Sequence, residues 1–265
     1  MKIGVIGCGN MGAALIRGML KSRFIAGSRM IAWDPDRTKL KAMARSCGLQ
    51  AARSNAEVAA AHVVLLAVKP QQMDQVLREI RPHVAHRPLI ISIAAGISTR
   101  WIERRIGRSI PVIRVMPNTP ALVGAGISAV AGGRHATQSM LKITEQIFHG
   151  VGEVVRVPEK WINAVTAVSG SGPAYFFFLM EQMIQTGVRL GLSREAAHRL
   201  VVETAEGAAI LAKTVGADPK VLRAKVTSKG GTTEAAFKVF TRRQLGKILQ
   251  QGIRAAAKRA KELGG

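Results

Sequence analysis

Two stretches of this chain combine residue types that hold anions. The first, Gly7-Cys8-Gly9-Asn10-Met11-Gly12, follows a short apolar run, Lys2–Ile6, and opens a segment with helical spacing. In the pattern G-x-G-x-x-G between a strand and a helix, Gly7 permits the tight turn, Gly9 lets the backbone approach a pyrophosphate, and Gly12 lets the helix lie close to the strand. Asp34 stands 22 residues after Gly12, behind Met30-Ile31-Ala32-Trp33, where a carboxylate can accept a bond from a ribose 2′-hydroxyl. Arg37 and Lys39 follow at once and are placed to take a 2′-phosphate, while Asp34-Pro35-Asp36 also reads as a helix N-cap. NAD and NADP both stay open on these residues, and the positive charge of the chain tilts the reading toward NADP.

The second stretch is Val226-Thr227-Ser228-Lys229-Gly230-Gly231-Thr232-Thr233, between two helical segments. Paired glycines let backbone N–H groups turn toward a ligand, and Thr232 or Thr233 opens the next helix, whose positive end favours a carboxylate or phosphate. A capped turn between helices is the alternative reading of the same residues. Three more loops fall at the carboxyl ends of predicted strands, where a ligand of an open α/β sheet lies: Ala67-Val68-Lys69-Pro70, Ala94-Ala95-Gly96 and Met116-Pro117-Asn118-Thr119-Pro120. Two prolines stiffen the last loop around Asn118.

The elements that must position these loops change character along the chain. Residues 1–157 alternate short Val- and Ile-rich runs (2–6, 30–33, 63–68, 89–93, 111–116, 127–131) with helical segments (11–22, 37–46, 71–80), which predicts βαβ units and a parallel sheet covered on both sides. Residues 151–157 read as a last edge strand. From 158 to 265 the pattern is helical: 161–168, 173–190, 194–215, 219–226, 232–240 and 244–262, with Ser193 as an N-cap and Pro173 and Pro219 in first turns. The expected architecture is therefore an α/β Rossmann-like N-terminal domain, 1–157, plus an all-α C-terminal domain, 158–265. Tyr175-Phe176-Phe177-Phe178-Leu179-Met180 makes its helix apolar over a wide arc, which favours dimerisation through this half.

Composition excludes several classes. Two cysteines, Cys8 and Cys47, are too few for a disulfide scaffold and suggest a reducing, cytoplasmic setting. His83 and His86 lack the convergent ligands a metal needs, so no metal site is expected. No apolar run reaches the roughly 20 residues of a membrane span, and Arg17 inside the first apolar stretch argues against a signal peptide. Thirty-nine Lys and Arg face sixteen Asp and Glu, a formal charge of +23. The basic residues are spread out, and 4% aromatics offer no stacking platform, so a solvated surface is expected and no nucleic-acid partner.

With the glycine fingerprint, Ala67–Pro70, Met116–Pro120, Ser169-Gly170-Ser171-Gly172-Pro173-Ala174-Tyr175 and Val226–Thr233 in this order, the whole chain resembles the pyrroline-5-carboxylate reductase family. That resemblance implies hydride transfer from NAD(P)H to the C=N carbon of 1-pyrroline-5-carboxylate, giving proline, by a homodimer or decamer joined through the C-terminal helices. It implies a substrate site at Ser228, Gly230, Gly231, Thr232 and Thr233, where backbone N–H groups hold the carboxylate and Thr233 hydrogen-bonds the ring nitrogen as the catalytic residue. The cofactor-binding residues would be Gly7, Cys8, Gly9, Asn10, Met11, Gly12, Asp34, Arg37, Asn55, Ala67, Val68, Lys69, Pro70, Ala95, Gly96 and Asn118. Lys229 stands where the family usually has proline, and Ala224 where it has an acid. A dehydrogenase of the 3-hydroxyacid type would need a catalytic lysine, and neither Lys160 nor Lys213 sits in a matching Gly-rich context.

Overall fold

The computed structural model, which describes residues 1–107 and 109–263, pairs eight strands of those residues into one sheet. They are β1 (Ile3–Ile6), β2 (Met30–Trp33), β3 (Gln50–Ala51), β4 (Val63–Leu66), β5 (Leu89–Ser92), β6 (Val112–Met116), β7 (Gly126–Gly132) and β8 (Gly152–Arg156). Their spatial order is β3-β2-β1-β4-β5-β6-β7-β8. All neighbours are parallel except β6 and β7, which pair antiparallel from Ile113 with Gly132 to Met116 with Ala129. The exception corrects an all-parallel expectation and has a simple cause. Only residues 117–125 join β6 to β7, fewer than the dozen or more that a parallel crossover requires.

Alternation along each strand sorts side chains onto the two faces of the sheet. On one face Ile3, Val5, Leu65, Ile91 and Val115 pack with Leu15, Ile16 and Met19 of α1 (Asn10–Lys21), Leu40 and Met43 of α2 (Arg37–Cys47), and Phe148 of a later helix, residues 138–149. On the other, Ile6, Val64, Leu66, Ile90 and Val112 pack with Val58 of α3 (Asn55–Ala59), Leu77 and Ile80 of α4 (Met73–Ile80), and Ile102 and Ile106 of α5 (Thr99–Ile106). The helix carrying Phe148 is α6 (Gln138–His149). The sheet is thus covered on both faces, as the apolar strand runs predict.

The short α3 and β3, together with α5 and α6, are absent from the sequence-based expectation. Five and two residues are too few to show a period in α3 and β3. For α5 and α6 a cap was present: Ser98 accepts from Trp101 N at 3.1 Å, and Thr137 from Met140 N at 3.4 Å. The predicted helix over 161–168 is broken up. A short α7 (Ile162–Val165) runs into a wider π-helical turn, Thr166–Gly170, where Ser171 N donates to Thr166 O at 2.8 Å.

The helices that follow are α8 (Gly172–Arg189), α9 (Arg194–Val215), α10 (Pro219–Lys225), α11 (Thr232–Arg242) and α12 (Leu245–Glu262). Ser193 caps α9 through Ala196 N at 3.1 Å, and Pro219 is the first residue of α10, as expected. The chain divides into two compact units, Met1–Ser171 with residues from Ala256 onward, and Gly172–Ala255. That division lies beyond the change of pattern near Pro158, because Ile162 packs on Ala129 and Ala131 of β7. The last two residues of the expected second domain, 264 and 265, lie outside the described residues.

The units differ in their cores. The first buries dozens of apolar side chains, whereas Ala197 and Val201 are the apolar residues fully buried among the described residues of Gly172–Ala255. Phe176, Phe177 and Phe178 are each more than 60% exposed in the single chain. Phe148, at 0% exposure, anchors the first core. Phe148→Ala is expected to lower unfolding free energy by about 3–5 kcal/mol in urea denaturation, the usual cost of a buried aromatic.

Candidate nucleotide and substrate sites

The strand order reverses around β1, which has β2 on one side and β4 on the other. In open α/β sheets a ligand binds at such a switch point. Gly7 has φ +101°, and a side chain there would place Cβ 2.5 Å from Ala67 O. A Cβ on Gly12 would collide with the Gly7 carbonyl oxygen. Both glycines are required by close backbone approach. Gly9 differs, since a Cβ there meets nothing within 4 Å. It holds the N-cap position of α1 with no side chain capping the helix. The first-turn N–H groups of α1 beside this open space suit the charge of a pyrophosphate.

Around this loop the structure gathers Gly7–Gly12, Asp34, Ala67 and Val68. Ala67 N donates to Ile6 O at 2.8 Å, Gly7 N to Trp33 O at 2.8 Å, and Cys8 N to the Asp34 carboxylate at 2.6 Å. The other Asp34 oxygen accepts from Asp36 N at 2.8 Å. Asp36, rather than Asp34, caps α2, accepting from Thr38 N and Lys39 N. Arg37 stacks its guanidinium 4.1 Å from the centre of the Trp33 ring and donates to the carbonyls of Ala52 and Arg53. Lys39 pairs with Asp36 at 3.1 Å.

Asn55 is buried at the start of α3, and its Nδ2 donates to Glu79 at 2.6 Å. Its Oδ1 is buried with no partner. An orphaned buried carbonyl oxygen carries an unmatched desolvation cost, which a hydroxyl or amino donor of a ligand would remove.

The remaining loops are held by local contacts. Lys69 N bonds the Gln72 side chain at 3.3 Å, with Pro70 opening a short turn. Gly96, after Ala95, has φ +79° and lies against the backbone of Leu263. Asn118 accepts from Ile127 N at 2.9 Å and lies 3.5 Å from Ser169 Oγ. The Asn118 side chain therefore ties its loop to β7 and to the π-helical turn. A Cβ on Gly170 would meet Met116 Cε at 2.6 Å, so that turn lies close against the Met116 side chain at the end of β6. Trp33 and Ser169 enter this region without having been singled out as site residues. Ser169 opens the segment Ser169–Tyr175, but nothing in the sequence pairs it with Asn118.

Ser228–Thr233 belongs to the other unit. Gly230 has φ +73°, and its N–H donates to the Glu234 carboxylate at 2.9 Å. Gly231 N donates to Ser228 O at 3.1 Å. Gly231 caps α11 without a side-chain bond, and Thr232 is the first helical residue. Thr233 is half-buried, while Ser228, Lys229 and Thr232 are exposed. The geometry is an open helix N-terminus behind a left-handed glycine, which suits a small carboxylate.

Cys8 sits inside the first loop, yet its thiol is pushed up to about 12 by burial, with the Asp34 and Cys47 charges adding to the effect. It is a neutral packing group, not a nucleophile. Among the described residues no three His, Cys, Asp or Glu side chains gather as a metal site, and no helix is long and apolar enough to cross a membrane.

A doubly wound α/β unit with a glycine loop at its switch point, followed by helices, is the architecture of Rossmann-type oxidoreductases. Residues 159–263 match the model described as pyrroline-5-carboxylate reductase dimerisation, and residues 2–96 the model described as NADP oxidoreductase, coenzyme F420-dependent. A pyrroline-5-carboxylate reductase of Pseudomonas aeruginosa is 42% identical, over 99% of this chain and 96% of its own. The Synechocystis enzyme of that name is 38% identical over 100% and 98%. The solved structure of the Coxiella burnetii reductase superposes with a TM-score of 0.93 at 35% identity, covering 100% of this chain and 98% of that one. The Plasmodium falciparum enzyme, solved with NADP bound, gives 0.89 at 29% over the same shares. The chain belongs to the pyrroline-5-carboxylate reductase family.

The Cys8 environment has a direct check. Between pH 7 and 9 iodoacetamide is expected to modify Cys47 and leave Cys8 unmodified in the folded protein, by peptide mass spectrometry. Alkylation of Cys8 at a rate matching a free thiol would contradict its neutral, buried state.

Proposed function

We propose that this chain reduces 1-pyrroline-5-carboxylate to proline with a hydride from NADPH, acting in the cytoplasm as a homo-oligomer. The observation that carries the reading is the Ser228–Thr233 loop, an anion cradle at the mouth of α11 in a chain of this family. The nucleotide half supports it through two features that fit a dinucleotide: the open space at Gly9 and the orphaned Asn55 Oδ1. Both oxygens of Asp34 already accept backbone bonds, while Arg37 and Lys39 bring positive charge to the end of β2, which favours NADP over NAD.

In this reading Gly7–Gly12, Asp34, Arg37, Asn55, Ala67–Pro70, Ala95, Gly96 and Asn118 hold the cofactor. When bound, the dihydronicotinamide supplies the hydride to the C=N carbon. The chain's own work is placement. N–H groups of Gly230, Gly231 and Thr232 hold the substrate carboxylate, which displaces the Glu234 carboxylate from Gly230 and the Ser228 carbonyl from Gly231. The Thr233 hydroxyl bonds the ring nitrogen and keeps its proton there, favouring the more electrophilic protonated imine; it does so without titrating near neutral pH. Lys229, exposed on the loop, adds positive charge facing solvent.

Oligomerisation follows from the second unit, whose exposed apolar helices lack a core of their own. The first unit adds an apolar hollow of about 300 Å³ lined by Ile127, Val155, Trp161 and Val168.

Steady-state kinetics with pyrroline-5-carboxylate test the activity: proline-forming oxidation of NADPH is expected, with NADH weaker, and no oxidation of either would refute it. Thr233→Ala should lower kcat/KM for the imine about 10- to 100-fold, the worth of one hydrogen bond to a charged group, with NADPH affinity within about twofold of wild type. Phe177→Glu, which puts a charge into the proposed interface, should shift the protein toward monomer in light scattering.

A further inference from the structure

A second basic feature lies in the first unit, along α5 and away from the glycine fingerprint. Arg100, Glu103, Arg104 and Gly107 recur at spacings of three and four, so they share one face of α5 and its C-cap. Facing them is the turn that follows β7, with Arg134 and His135. Between these walls runs a groove of about 790 Å³, which Glu159 also lines. That volume is in the range of small-molecule sites.

The charges in the groove are unequally matched. Glu103 accepts from Arg134 N at 3.0 Å, and Gly133 carries no side chain that would obstruct this approach. Glu159 accepts from Thr99 N at 2.7 Å and Thr99 Oγ1 at 2.6 Å, and it lies 3.7 Å from the guanidinium of the buried Arg114. Glu103 of α5 is thus engaged by the facing turn, and Glu159 by Thr99 at the start of α5. Among the described residues, the guanidiniums of Arg100, Arg104 and Arg134 pair with no carboxylate. Arg100 and Arg104 are also like charges four apart on one helix, an arrangement that repels unless an anion joins them. Guanidinium groups present paired donors that match a phosphate's oxygens. The concave wall favours a small anion over a nucleic-acid strand, because His135 is the single ring among its described lining residues and one ring makes no stacking platform.

We propose that this groove binds a phosphate-bearing small molecule, with Arg100, Arg104 and Arg134 as its anion ligands, at a site separate from the nucleotide loops. The inference stands on these residues alone and does not depend on the reductase reading.

The test is calorimetric titration of inorganic pyrophosphate into the full-length protein saturated with NADPH, so that the phosphate positions at the α1 N-terminus are filled. Saturable binding of one pyrophosphate per chain is expected. The double variant Arg104→Ala/Arg134→Ala should weaken it at least tenfold, since each removes a charge-assisted contact. Both side chains are exposed and unpaired, so the variant is expected to fold, checked by its thermal transition. A control, Arg17→Ala/Arg29→Ala, removes the same charge from exposed positions outside the groove and should leave binding unchanged. Absence of saturable binding would overturn the proposal. So would an equal loss in the control, because that is the signature of diffuse attraction to a chain of formal charge +23.

Discussion

At the carboxyl ends of β1 and β4 the backbones of Gly7, Gly12 and Ala67 meet with no side chain between them. A single methyl at Gly7 or Gly12 would be driven into a carbonyl oxygen. Because Gly12 lies on the Gly7 carbonyl, α1 starts directly over the strand end, with its first N–H groups beside the open space at Gly9. Because Gly7 lies on Ala67, the β4 loop is drawn to the same point, and with it Val68, Lys69 and Pro70. The Asp34 carboxylate then locks β2 to this loop through Cys8 N. Burying Cys8 there removes its acidity, so the loop keeps a thiol without acquiring a nucleophile. The rest of the sheet, with apolar side chains alternating onto its two faces, is what makes so close a backbone contact stable.

The second half of the chain has a different physical problem. Long helices rich in Phe, Leu and Val need a partner surface, yet within Gly172–Ala255 almost no apolar side chain is fully buried. Burial of such faces contributes about 25 cal/mol per Å², and a single copy leaves most of it unrealised. The family's dimerisation model falls on this helical half, residues 159–263. A core shared between copies accounts for helices that are apolar over a wide arc without the aggregation that such surfaces otherwise invite.

Much of this was legible from sequence, and the reasons are specific. Strand runs such as Met30–Trp33 are flanked by charged or turn residues, so their limits stand out, and Arg194–Val215 is bounded by a serine cap and a left-handed glycine, Gly216. The antiparallel β6–β7 pair was missed because strand direction is written in connection length, not in the apolar pattern. The break after Val165 was missed because Thr166, whose hydroxyl bonds Ile162 O at 2.8 Å, keeps helical periodicity while the backbone widens. In the nucleotide half, the glycine roles at Gly7 and Gly12 could be read from spacing. The commitment of Asp34 to two backbone amides and of Asn118 to Ile127 could not, since both are long-range or turn-specific geometry.

The loop before α11, proposed to hold the substrate, brings these constraints to one residue. Gly230 is in the left-handed region, where its N–H points inward and is bound by the carboxylate of Glu234, four residues on. The loop thus already carries a carboxylate where the proposed substrate places its own. Lys238 Nζ lies 3.3 Å from the same Glu234 oxygen that Gly230 binds, so Glu234 keeps a partner when it gives up Gly230. Such an exchange trades one charge-assisted bond for another of the same kind and keeps the Gly230 N–H paired at both stages. A proline at position 229 would stiffen the chain before Gly230 by fixing its φ. With Lys229 there, no ring restrains that residue, and the bond from Gly230 N to Glu234 is the contact that fixes the loop at Gly230.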